Sequence, residues 1–266
     1  MAIQSIRRAI HIMGLFSYER SRLGISEISR EMNLPKGTVQ GLVQTLAKEG
    51  FLKQDPETRK YELGFMIYEL GILMAANLEI NKKSSGPAHE LAKRCKYMAR
   101  VAIIDGDSAL ITLDAYPRTQ PFLFRQFGLR CPLYCTALGK ALLAFMLQPE
   151  LESYIDRSEL LPFSATTITH KDQLLKELDE TRERGYSINR EEHLLGRAAV
   201  GAPIFGRGGK LEASICMVGP PSAILGKGTE RLGNEVMGTA SQISRYMGYF
   251  PEAPSVGRVG KNLRMR

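Results

Sequence analysis

Four cysteines, four histidines and two short motifs mark where this 266-residue chain could hold a metal, a nucleophile or a phosphate. Cys131 and Cys135 stand four apart, with Cys216 and His170 far from them in sequence. A zinc or thiol centre is built from tightly spaced sets of such ligands. Here the C-x3-C pair has no second cysteine/histidine pair after it, so the thiols read better as small residues lining an apolar pocket. "REEH" at 190–193 sets three potential ligands close together. Neighbouring residues of a strand face opposite sides, so it reads as a solvated turn, with metal binding the weaker option. "GRGGK" at 206–210 has the composition of a phosphate loop. It lacks the G-x-x-x-x-G-K-[ST] spacing and lies between two strand-like runs, which makes it a hairpin turn. No Ser/His/Asp arrangement is recognisable. The expectation is a protein that is not an enzyme, with no cofactor and no metal.

A different chemistry is written into "LPKGTVQGLVQTL" at 34–46. Val39, Leu42, Val43 and Leu46 fall at i, i+3, i+4 and i+7, one narrow apolar stripe on a helix. With that stripe inward, Gly37, Gly41, Gln44 and Lys48 face out, flanked by Thr38 and Gln40. A glycine at position 41, in mid-helix, costs about 1 kcal/mol against alanine. Close approach of the backbone to another surface is a physical reason to accept that cost. The major groove of DNA is such a surface, read mainly by the N-terminal residues of a recognition helix. The Gln40 amide donates and accepts at once, which suits adenine N6/N7, and Gln44 is a deeper reader. Thr38 and the helix N-terminus would hold a phosphate. Lys36, Lys48, Lys53, Arg59 and Lys60 would add phosphate charge, joined by Arg7 and Arg8. The competing reading is a helix that meets only protein, with both glutamines solvated.

Bulk properties fit that second chemistry. Net charge is +8, which permits a polyanionic partner without demanding one. The excess is uneven. Residues 1–64 carry ten Lys/Arg against seven Asp/Glu, and residues 251–266 carry four against one. Apolar residues make up 44% and charged residues 24%, the mix of an ordinary soluble chain long enough for about two domains. No apolar run approaches the ~18 residues of a membrane span, and no secretory signal is evident. Four cysteines in such a length do not form a disulfide scaffold, so the expected setting is a reducing cytoplasm.

The elements that must position these residues follow from periodicity. Residues 4–16 make a helix with Ile6, Ile10 and Met13 on one side. Ser26 caps a second helix carrying Ile25, Ile28 and Met32, and Asn33 ends it. Pro35 opens the third. "FLKQD" and "KYEL" are short strands joined by a "PETR" tip, which completes a winged helix-turn-helix pattern. The strongly apolar 64–80 is a linker helix with a surface to bury, and the polar "NKKSSGP" (81–87) is the domain boundary. Beyond it, "RVAIIDG", "SALITLDAY", "PFLFRQF", "YSIN", "AAVGAPIF" and "LEASICMVG" read as strands. "TALGKALLAFML", 170–185 and 229–249 read as helices, with Gly185 a C-terminal stop. The fold class is an N-terminal winged helix-turn-helix, mostly α with a β-hairpin wing, plus an α+β domain. The expected divisions are 1–64 for DNA binding, 65–82 for the linker helix, 83–250 for the second domain, and 251–266 for a basic tail with the composition of disorder.

"SEISREMNLPKGTVQGLVQTLAKEGFL", "KYELG", "PLYCTALGKALLAF" and "TITHKDQLLKELDETRERGYSINREEH" together resemble the IclR family of bacterial transcription regulators. The resemblance runs from about Gln4 to Tyr249 in the family's order and spacing. It implies a winged helix-turn-helix joined to a GAF-like effector-binding domain, a homodimer or dimer of dimers, and repression or activation of nearby catabolic operons. The implied partners are a near-palindromic double-stranded DNA operator and a small organic effector, with no membrane. The DNA-binding set would be Lys36, Gly37, Thr38, Gln40, Gly41, Gln44, Lys48, Arg59 and Lys60. By position, the resemblance implies an effector pocket lined by Leu123, Cys131, Leu133, Cys135, Ala137, Leu138, Asn189, Arg197, Ala199, Cys216 and Val218.

This chain departs from the family pattern in ways that bear on chemistry. The family often has serine at position 37 and a basic or histidine residue around 40–41, where this chain has Gly37, Gln40 and Gly41. It commonly has histidine where Tyr134 stands, aspartate where Asn189 stands, and an Arg-Cys pair where Ala198 and Ala199 stand. Here arginine comes one place earlier, at Arg197. Losing a carboxylate and gaining a guanidinium makes the pocket more positive, and arginine suits bidentate capture of a carboxylate. The effector is therefore expected to be a small organic acid. The competing placement of Arg197 is in solvent or paired with Glu191 or Glu192. A thiol or metal sensor, or an enzyme, built on the GAF-like domain with an accessory winged helix is the alternative function.

Overall fold

The computed structural model describes residues 3–117 and 129–250. The chain divides into two units between Asn77 and Leu78. The expected strand at 121–127, Leu123 and the 251–266 tail lie outside the described residues.

The first unit is built on helices α1 (Gln4–Gly14), α2 (Ile25–Met32) and α3 (Lys36–Lys48) and the antiparallel pair β1 (Leu52–Gln54) and β2 (Tyr61–Leu63). Their core gathers Ile12, Leu23, Ile28, Val39, Val43, Leu46, Leu52 and Tyr61. The buried face of α1 differs from the expected one. Ala9, Ile12, Met13 and Phe16 pack inward, while Ile6 and Ile10 join Ile3 on an exposed stripe. Two apolar stripes share this short helix, and sequence periodicity alone does not choose between them. The cap of α2 also differs. Gly24 is the N-cap, and the Glu27 carboxylate accepts its N–H at 2.5 Å, so Ser26 lies inside the helix. Asn33, in the left-handed region at φ 49°, ends α2 and turns the chain into α3.

Helix α4 (Phe65–Asn77) closes this unit. It is apolar almost all round, and none of its residues is buried. Phe65, Tyr68, Leu70, Ile72, Leu73 and Met74 are all exposed. A helix apolar on every side is ordinarily a buried helix.

The second unit opens with α5 (Glu79–Cys95), so 81–87 is helical rather than a boundary loop. Its polar letters occupy the outer face, while Ile80, Ser84, Ala88, Leu91 and Cys95 recur at helical spacing on the buried one. The helix continues through Pro87, which lacks an N–H to donate within it. Strands β3 (Met98–Asp105), β4 (Ser108–Ala115), β5 (Arg130–Pro132), β6 (Ser187–Arg190), β7 (Ala198–Phe205) and β8 (Leu211–Gly219) form one antiparallel sheet, ordered β5-β4-β3-β8-β7-β6. Between β5 and β6 come α6 (Ala137–Phe145), α7 (Gln148–Arg157) and α8 (Lys171–Arg184). After β8 come α9 (Pro221–Ile224) and α10 (Thr229–Tyr246). Helices α7 and α9 and the short strand β5 were not anticipated from the sequence. The GRGGK run forms the tight β7–β8 connection, where Gly206 N–H donates to the Lys210 carbonyl.

Both faces of the sheet are covered, which is why its central strands read as almost unbroken apolar runs. Helices α5 and α10 cover one face, on Val101, Val200, Ala202, Ile215 and Met217. Helices α6 and α8 share the other core, with Ala102, Ile111, Ala199 and Cys216. The α6 helix sits very close to the preceding loop. A Cβ on Gly139 would lie 2.2 Å from the Leu133 carbonyl oxygen, so only glycine fits there.

Candidate functional sites

In the first unit the polar face of α3 stands in solvent. Lys36, Gly37, Thr38, Gln40, Gly41, Gln44 and Lys48 are all exposed, while Val39, Val43 and Leu46 are buried and Leu42 is half-buried. A Cβ built on Gly37 or Gly41 meets nothing within 4 Å. Nothing in this unit therefore requires glycine at either position. At the wing, Asp55 Oδ1 accepts the Glu57 and Thr58 N–H groups at 2.9 and 3.0 Å. Arg59 takes a positive φ of 56° and is exposed. Lys60 differs from it, being engaged by Glu27 at 3.2 Å. Those two partners hold the Glu27 carboxyl below its usual range, the Gly24 N–H bond first and the Lys60 bond second.

In the second unit a cavity of about 220 Å³ opens on the α6 side of the sheet. It is smaller than the ~300–1,000 Å³ of drug-sized pockets. Sheet register explains its floor. Asn189 pairs with Ala199, Ala199 with Val218, and Val218 with Met98, a row crossing four strands, and all four residues line the cavity. In the next row facing the same way, Cys216 pairs with Arg100, and Arg100 with Asp114. A bulge sets this second row. The register slips between Val101 and Ala102, so that Ile111 and Asp114 share a face, although strict alternation would separate them. Arg100 Nε donates to Asp114 Oδ1 at 2.9 Å, and the Tyr116 hydroxyl donates to Asp114 Oδ2 at 3.1 Å. Both partners of the ion pair are buried. Burial and then the Asp114 charge push the Tyr116 hydroxyl up, so it stays a donor.

Of the residues expected to line a pocket, Cys131, Ala137, Leu138, Asn189, Arg197, Ala199, Cys216 and Val218 meet at this cavity. Leu133 and Cys135 are fully buried in the adjoining core instead. Met98, Arg100, Ile111, Thr136, His193, Leu194 and Ala198 also line it, and sequence reasoning missed them. Arg197 pairs with neither of its expected acidic neighbours. Glu191 Oε1 accepts the Gly196 N–H, and Glu192 pairs with Lys140. The REEH run is also not a solvated turn, because Glu192 is only 3% exposed.

Burial sets the electrostatics of the walls. All four cysteines are free and buried. Burial pushes the Cys131 and Cys216 thiols up, and takes Cys135 to about 12. At neutral pH these thiols are protonated, which is the unreactive form. Burial lowers His193, whose ring packs edge-on against Phe163 at 5.0 Å between centroids. Tyr134 also touches Phe163 and donates to the Leu161 carbonyl at 2.7 Å. Among the described residues no group of three or more His, Cys, Asp or Glu is placed to hold a metal ion. No helix among them is long and apolar enough to cross a membrane.

Comparison with known proteins bears on both units. Residues 5–56 match the model of the IclR helix-turn-helix domain, and residues 73–245 match that of the bacterial transcriptional regulator IclR C-terminal domain. The chain is 31% identical over 247 residues to the HTH-type transcriptional regulator KipR of Bacillus subtilis, covering 92% of this chain and 98% of KipR. It is 28% identical to the HTH-type transcriptional regulator XynR of Escherichia coli, covering 93% and 98%. Among solved structures, an IclR homolog from Microbacterium hydrocarbonoxydans complexed with 4-hydroxybenzoate superposes with a TM-score of 0.80 at 18% identity. The match covers 92% of this chain and 99% of that one.

Proposed function

The chain belongs to the IclR family of transcriptional regulators and is a DNA-binding helix-turn-helix regulator, and from that premise we propose that a small organic anion modulates its hold on a near-palindromic operator. One observation carries the effector reading. The polar groups around the cavity are mainly donors or cations: Arg100, Asn189, His193 and Arg197. Arg100 is already matched by the buried Asp114, so Arg197 supplies the net positive charge of the lining. Such a lining favours a ligand that brings acceptor oxygens, and arginine is suited to a carboxylate. Apolar walls from Ile111, Leu138 and Val218 would take the rest of a small molecule. The 4-hydroxybenzoate bound by the Microbacterium relative is of that class.

Burial holds the Cys131 and Cys216 thiols on its wall protonated, which disfavours the thiol-sensor alternative. The operator would be read by Gln40 and Gln44, with Thr38 on a phosphate and Lys36, Lys48 and Arg59 supplying charge. The two bare glycines would let the α3 backbone approach the groove. The apolar surface of α4 supports a homodimer or dimer of dimers, with two winged helices on the two half-sites. In this division of labour the DNA-binding unit ends with α4 and the effector-binding unit begins at Leu78. Effector binding changes operator affinity only through unequal affinity for two arrangements of the chain.

The test is a thermal-shift screen of small organic acids, with 4-hydroxybenzoate in the panel. A gel shift on the DNA upstream of the chain's own gene then follows, with and without each hit. We expect operator affinity to fall steeply with salt, as phosphate contacts require, and to change when a hit is added. A salt slope near zero would remove the DNA reading. Absence of any stabilising acid would remove the effector reading.

A further inference from the structure

Lys140 is fully buried in α6, yet it lines no part of the cavity. Its ammonium donates to Glu192 Oε1 at 2.7 Å and to Glu177 Oε1 at 3.3 Å. A buried ion pair is weak evidence for stability, since apolar residues of the same volume often serve as well. This pair therefore needs another account, and the turn on which Glu192 sits supplies one.

The turn from Asn189 to His193 carries two residues of the cavity wall, one at each end. Its backbone is committed almost group by group. Arg190 N–H donates to Glu192 Oε1 at 3.1 Å, the same oxygen that Lys140 holds. Glu192 N–H donates to the Asn189 side-chain oxygen at 2.9 Å. The Glu192 carbonyl accepts the Thr167 and Ser164 hydroxyls, and the Arg190 carbonyl accepts the Thr166 hydroxyl at 2.9 Å. The Glu192 bond also fixes which way the Asn189 amide faces. A backbone N–H can only donate, so the side-chain oxygen must be the end turned toward it. The NH2 end is left as the group Asn189 can offer the cavity.

We propose that Lys140 is a positioning residue for the effector cavity. Through Glu192 it latches the 189–193 turn, and so holds Asn189 as a hydrogen-bond donor and His193 in the wall. The latch ties α6 to a turn 52 residues away in sequence. It deepens the effector reading and rests on it only for what Asn189 would bind. Aspartate at position 189 could accept the same Glu192 N–H but would present an acceptor oxygen to the cavity. The latch with asparagine therefore selects a ligand with an acceptor oxygen at that point.

The test is residue-resolved hydrogen exchange on the full chain carrying Lys140→Met together with Glu192→Leu, which replaces the pair by apolar side chains of similar size. The reporter is the N–H at position 192, because its acceptor, Asn189, is untouched. We expect it to exchange at least about tenfold faster, with β7 and β8 amides unchanged and the melting temperature near that of the parent. An unchanged rate at 192 overturns the proposal, since the pair would then be packing only. Should the double variant fail to fold, Glu192→Gln keeps the shape and removes the charge. It should speed exchange at 190 and 192 several-fold more than at the β7 and β8 amides, which report any general loss of stability, and exchange at 190 and 192 that changes no more than theirs is equally decisive against the latch. No effector is added in either experiment, so failure of the effector reading leaves this test intact.

Discussion

Gly41 and Gly139 each lie in the first half of a short helix, and their surroundings could hardly differ more. At Gly139 a Cβ would strike the Leu133 backbone at 2.2 Å, whereas at Gly41 it would meet nothing within 4 Å. The first glycine is explained by its own chain. The second has no internal explanation and carries a helix-propensity penalty. That contrast separates the two units. The α+β unit turns its special residues inward, against its own backbone. The winged-helix unit leaves its special residues bare for something outside itself.

The largest effect should come from Gly139→Ala. The collision is with backbone, which no rotamer change relieves, so about 3 kcal/mol or more of stability should be lost. Thermal melting should show it as a large fall in Tm, and an unchanged Tm would mean the close packing is not as described. Next, Gln40→Ala should remove about 1–3 kcal/mol of discrimination at one base pair while leaving non-specific binding in place. Competition gel shifts with single base-pair changes read this, and undiminished discrimination would reassign Gln40 to solvent.

Arg197→Ala should weaken an effector acid by about tenfold, near 1.4 kcal/mol. Titration calorimetry with an acid from the screen decides it, and equal affinity ends the carboxylate role. Gly41→Ala is the mirror of the first variant. It should raise stability by about 1 kcal/mol and yet weaken the operator complex. A variant both more stable and equally tight on DNA would break the contrast between the two glycines.

The smallest effect concerns pH. His193 is held by burial below its usual 6.5, so the unfolded chain takes up a proton before the folded chain does. Stability is therefore lost as pH falls from 6.5 toward the folded value. His193→Gln should remove part of that loss, seen as a smaller drop in Tm between pH 7 and pH 5.

What could be read from the sequence was what is local. The α3 stripe needs only a helix period over eight residues, and it placed Gly37, Gly41, Gln40 and Gln44 on the outer side where they stand. Five of the six strands of the sheet were visible because both of its faces are buried, whereas β5, only three residues long, was not. Arg100 and Asp114 were not, because their meeting depends on a bulge that strict alternation does not foresee. Lys140 was passed over as one more polar letter in a helix. Lysine is almost never fully buried unless paired, and its partners lie 37 and 52 residues away. Glu192 was misread for the same reason. The polar run 81–87 misled in the opposite direction, since its composition suggests a loop while its period is that of one face of α5.

The bare apolar surface of α4 has a consequence for dosage. If a second copy covers it, the DNA-competent species is scarce whenever the chain is scarce. Below the dimer's dissociation constant, doubling the chain raises the dimer roughly fourfold by mass action. Operator occupancy would then climb more steeply than synthesis of the regulator, and a cell could set a sharp threshold through α4 alone, with no effector present.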